Sequence, residues 1–144
     1  MSNAATNLDN GGDSTMKKTF EPLPDGDYLV RMQELTEKKT KNGDDMLTAK
    51  FQVVKGPDGV EGAKNRIVFE NFVMTHDNPK VVEISTGKLN KYAEAIGING
   101  GIDSLSGGVG DLQDYLETPF IATLGQGKPY NGKINNVIKA FKSR

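Results

Sequence analysis

Two short stretches carry side chains that could do chemistry. EKKTKNGDD at 37–45 places Lys38, Lys39 and Lys41 within four positions, ahead of an Asn-Gly step. GQGKPYNGK at 125–133 contributes Lys128 and Lys133, with Tyr130 between them. Ammonium groups on glycine-bearing loops can follow a chain of phosphates, and a ring beside them can stack on a base. Lys50 extends the cationic set onto a neighbouring strand, and Phe72 and Tyr28 are further candidate platforms. Each residue also has a plainer reading. A lysine at a hairpin tip is ordinarily a solvated charge, and Phe72 and Tyr28 are ordinarily core. Two basic loops expected side by side are harder to set aside than either alone. Lysines read phosphate charge and carry little base information, so tolerant binding of single strands is expected.

Other chemistries find less support. Cysteine is absent, which removes disulfides, thiolate metal sites and a cysteine nucleophile, and fits a reducing compartment. His76 is the sole histidine, so no multi-histidine metal site can form. Neither KGPDGVEGAK nor LGQGKPY fits the phosphate-binding spacing G-x-x-x-x-G-K-[ST]. Asp44 and Asp45 could hold a metal through paired carboxylates and make a nuclease, but acids are common beside an Asn-Gly turn. The expectation is a protein that is not an enzyme, with no catalytic residue, cofactor or metal ligand.

The elements that must position these loops follow from periodicity. Residues 1–19 have little core-forming content and are expected to be a flexible tail, with the domain at 20–144. Strands are expected near 27–36, 46–55, 66–74, 118–124 and 134–142. In the second, Leu47, Ala49, Phe51 and Val53 share a face. In the third, Ile67, Phe69 and Val73 share one side, and Arg66, Glu70 and Phe72 the other. Asn78-Pro79 starts a helix whose stripe is Leu89, Tyr92, Ala93 and Ile96, stopped by Gly97. Gly87 leaves a second start, at Thr86, open. Leu112, Tyr115 and Leu116 mark a short helical turn. The order β-β-β-α-β-β predicts a mainly β, five-stranded OB-fold-like barrel with one helix between strands three and four.

The 144 residues favour one domain, and 35% hydrophobic content is enough for one core. The net charge of −1 argues against a strongly basic binder, but its distribution is uneven. Residues 77–117 hold seven acids and three lysines, while 128–144 hold five basic residues and no acid. One positive face is compatible with that total. No apolar run approaches a membrane span, and no leader-like pattern is present.

FEPLPDGDY at 20–28, EKKTKNGDDML at 37–47, RIVFENFV at 66–73, GKLNKYAEAIGI at 87–98 and the Asn136–Ile138 step resemble a bacteriophage family catalogued as a domain of unknown function. Its members look like OB-fold single-stranded-DNA-binding proteins. The resemblance implies a role in phage DNA replication or recombination within the bacterial cytoplasm. The partners it implies are single-stranded DNA and replication or recombination proteins of phage or host, with no membrane and with homo-oligomers left open. The last residues, KAFKSR, differ from the acidic tail of many single-strand binders, so the acidic 103–117 segment is the better candidate for docking a protein. The alternative is an OB-like protein–protein module of the phage replication machinery, its lysines serving solubility.

Overall fold

The computed structural model describes residues 21–129 and 132–144. The expected tail at 1–19 and Tyr130 lie outside the described residues. Five strands form one antiparallel sheet: β1 (Gly26–Lys39), β2 (Asp45–Lys55), β3 (Ile67–Val73), β4 (Pro119–Gln126) and β5 (Asn136–Lys142). Helix α1 (Pro79–Ala95) lies between β3 and β4, followed by 3-10 turns at Gly101–Ser104 and Gly108–Tyr115. The predicted element order therefore holds.

β1 organises the sheet. Gly26 to Arg31 pair with β4, and Leu29 to Lys39 pair with β2. Register shifts between Leu29 and Val30, and between Met32 and Glu34, let the strand bend as it passes from one partner to the other. At its far end Gly43, at φ 87°, closes the turn, and the Asp44 N–H donates to the Thr40 hydroxyl at 3.0 Å.

The strand order is β3-β2-β1-β4-β5, so β3 and β5 are the edges. The sheet is open, with no ladder joining its two edges, so the expected OB-fold-like barrel is not closed. A carboxylate occupies the position where a ladder would close it: the Ile138 N–H on β5 donates to Oε2 of Glu70 on β3 at 3.1 Å. Helix α1 packs against both edges and covers the gap. Inside, Phe51, Tyr92, Phe120 and Phe141 meet mostly edge to face, with ring centroids 5.3–6.4 Å apart.

Helix α1 starts at Pro79 and runs through Gly87, which removes the later start at Thr86. The Asn78 side chain accepts from the Lys80 N–H at 3.0 Å, satisfying one of the donors a helix start leaves free. Leu89, Tyr92 and Ala93 are buried as the stripe predicts, and Gly97 (φ 96°) takes the left-handed position beyond the end. The buried Ser85 hydroxyl accepts from the Val73 N–H at 3.0 Å, which ties the helix to the end of β3. In the segment after the helix, Leu112 is buried, but Tyr115 is exposed.

Candidate nucleic-acid interface

β3 has the two faces its alternation predicts, and burial assigns them. Val68, Glu70 and Phe72 point inward, and Ile67, Phe69 and Asn71 point out. Phe72 has 0% exposure and is core, so it is withdrawn as a platform. Both faces of IVFENFV carry large apolar groups, and alternation alone does not say which face is covered. Pairing with β2 decides it. Leu47 lies opposite Phe72 and Phe51 opposite Val68, and both β2 residues are in the core. Tyr28 is likewise core, with its hydroxyl donating to the Pro24 carbonyl at 2.6 Å.

The aromatic that does reach solvent is Phe69, 59% exposed. It stands directly opposite Lys50 across the β2–β3 ladder, and Lys50 stands opposite Glu34 of β1. Ile67, 37% exposed, lies beside them opposite Gln52. Around this patch the outer face is polar and internally bonded. Gln52 accepts from Arg31 at 2.7 and 3.0 Å and donates to Asn65, and Thr48 donates to Asn71. Sequence reasoning missed Phe69 because it placed Phe69 on the side opposite Phe72 and chose Phe72. No local signal separates the two rings: the register that sets Glu70 opposite Ala49, and so turns Phe72 inward, is a tertiary pairing.

Ile67 and Phe69 continue into a groove of about 1050 Å³ between the β2–β3 connection and the β4–β5 loop. Lys64 and Arg66 line it on one side, and Lys128 and Lys133 on the other. Asn135, Asn136 and Val137 also line it. The Arg66 guanidinium is steadied by a 2.5 Å bond to the Glu21 carbonyl. Asn136, at the start of β5, accepts from the Leu23 N–H at 2.7 Å and donates to the Leu23 and Gly125 carbonyls. The Asn136–Ile138 step is therefore architectural: its first residue anchors the leading segment, and its last meets Glu70.

The first turn is not part of this groove. It closes the C-terminal end of β1, whereas the second loop leaves β4 beside the N-terminal end of β1, where Gly26 pairs with Leu124. The side-by-side arrangement expected of the two tips is replaced by the second loop facing the β2–β3 connection. Lys38 and Lys39 border a separate cleft of about 440 Å³ with Met46, Leu47, Met74 and Val109, and Lys41 is exposed on the turn. Lys39 is committed locally, its ammonium held by the Asp45 carboxylate, which raises its pKa. Asp45 thus has a cation for a partner. Among the described residues no three acids or histidines gather as metal ligands. His76 is exposed, and its Nδ1 accepts from the Asn78 N–H at 2.9 Å.

Residues 10–144 match the family described as "Protein of unknown function (DUF669)". The chain belongs to this family. No curated protein matches it. The match covers every strand of the sheet and both lysine-bearing loops, so the groove is built within the DUF669 unit. Among the described residues no helix is long and apolar enough to cross a membrane.

Proposed function

We propose that this DUF669 protein binds single-stranded DNA, largely without regard to sequence, in phage-type replication or recombination. The observation that carries this reading is the pairing of one exposed ring with a cationic groove. Phe69 offers a stacking face beside Lys50, and Lys64, Arg66, Lys128 and Lys133 line the space next to it. A strand of polynucleotide needs both parts, since each stacked base contributes about 1–3 kcal/mol while cations neutralise the backbone. The strand order supports an OB-type reading, in which β3 and β5 are the neighbours that nearly close a small Greek-key barrel. In that arrangement the outer face of β2 and β3 and the β1–β2 and β4–β5 loops are the ligand-bearing parts. Here the β2–β3 face and the β4–β5 loop border the groove, and the β1–β2 turn lies away from it.

Fluorescence anisotropy with labelled oligo-dT at increasing salt tests the proposal. Four groove cations, each neutralising a phosphate, give a slope near 3 log units of affinity per log unit of salt, at ~0.7 per contact. Flat anisotropy at every protein concentration sinks the reading. It favours instead a protein–protein module, to which the exposed Phe69 and Ile84 would contribute apolar anchors.

A further inference from the structure

A second cationic cleft lies on the far side of the Glu70–Ile138 contact. It has a volume of about 400 Å³ and is lined by Lys88 and Lys91 of α1, Lys139 of β5, and the apolar Ile138, Ala140 and Phe141. Lys88 and Lys91 are three positions apart, so they project from one face of the helix. The space over Gly87 is open, since a Cβ there would meet no atom within 4 Å. Among the described residues, the carboxylate that pairs with a lysine of this cleft is Glu70, buried behind Lys88 at 3.9 Å.

We infer that this cleft is a second backbone-binding subsite for the same single strand, which leaves the main groove along β5 and passes over α1. This rests on the single-strand reading above. Continuity supports it: β5 lines the main groove through Val137 and the second cleft from Ile138 onward. From Lys133 to Lys139 is roughly 20 Å of chain at ~3.3 Å per residue, within the reach of one bound strand. An acidic peptide is the poorer occupant. It would gain most by adding as a strand to the edge of β5, but α1 packs against that strand and the Ile138 N–H already serves Glu70. A phosphodiester chain needs only the point charges that three lysines supply.

The test uses the full chain and the double variant K88Q/K91Q. Glutamine is chosen so that no new carboxylate faces Glu70, and Lys139 is left in place because its side chain lies over Gly125. Anisotropy is read with oligo-dT of ~6 and ~20 nucleotides, one within and one beyond the span of about 4–16 nucleotides usual for one such domain. The variant should bind the long strand about tenfold more weakly, with a salt slope lower by ~1.4, while its affinity for the short strand is unchanged. An unaltered thermal melt shows that the fold is retained. Equal behaviour of the two proteins on both lengths, or an equal loss on both, overturns the second subsite and leaves the main groove standing. So does a poly-glutamate peptide that binds the full chain, is lost in K88Q/K91Q and is not displaced by the long strand. Failure of the unsubstituted protein to bind either length overturns both proposals.

Discussion

Phe69 and Phe72 are three residues apart on one strand and have opposite duties. Truncating Phe72 empties a filled core position, so Phe72→Ala should cost about 3–5 kcal/mol of unfolding free energy in a denaturant titration. Phe69→Ala removes a ring that stands mostly in solvent. It should leave the melt nearly unchanged and weaken oligo-dT binding by about 1–3 kcal/mol, the worth of one stacked base. Glu70 makes a third residue-scale prediction. Burial raises its pKa more than the Ile138 N–H and the Lys88 ammonium lower it. The folded state therefore holds this proton to higher pH than the unfolded chain does. The group's contribution to stability falls as pH rises from its ordinary value of 4.5 through the raised one. Glu70→Gln keeps an oxygen for the Ile138 N–H and removes the buried charge. It should melt higher than the parent at pH 7, with the difference vanishing in acid.

Among the elements, the two lysine-bearing loops no longer have equal standing. The β4–β5 loop faces the β2–β3 connection across the groove that holds Phe69, whereas the first turn closes the other end of β1. Charge reversal should register this difference. K64E/K128E is expected to lower oligo-dT affinity by at least tenfold more than K38E/K41E at the same salt. Equal losses, measured by anisotropy, would extend the interface to the first turn. The element order was legible, although the first strand runs on to Lys39, three residues past its expected end, which places Lys38 and Lys39 on the strand. The Asn78-Pro79 start, the Leu89–Tyr92–Ala93 stripe and the inward set Leu47, Ala49, Phe51 and Val53 all stand as periodicity predicts. Those signals are local, since capping and amphipathic spacing act within a few residues.

Over the whole molecule, a net charge of −1 coexists with a groove lined by four basic side chains, because charge is unevenly spread: 128–144 holds five basic residues and no acid, while 77–117 holds seven acids and three lysines. A single strand bound there as proposed would be read through charge and ring faces rather than base edges. Oligo-dT, oligo-dC and oligo-dA of equal length should therefore compete within about tenfold of one another, while a duplex of that length competes more weakly. A competition series at one salt concentration checks both outcomes. By itself the sequence determined the strand and helix order, the capped helix, the lysine-rich turns and the absence of thiol chemistry, all written in neighbouring residues. Only the tertiary structure decided which face of β3 is buried, which loop meets the exposed ring, and that Glu70 rather than a ladder spans the two edges. Alternation defines two faces of a strand without saying which one the rest of the chain will cover. That choice is made by pairing between residues far apart in sequence, as when Phe72 comes to lie opposite Leu47.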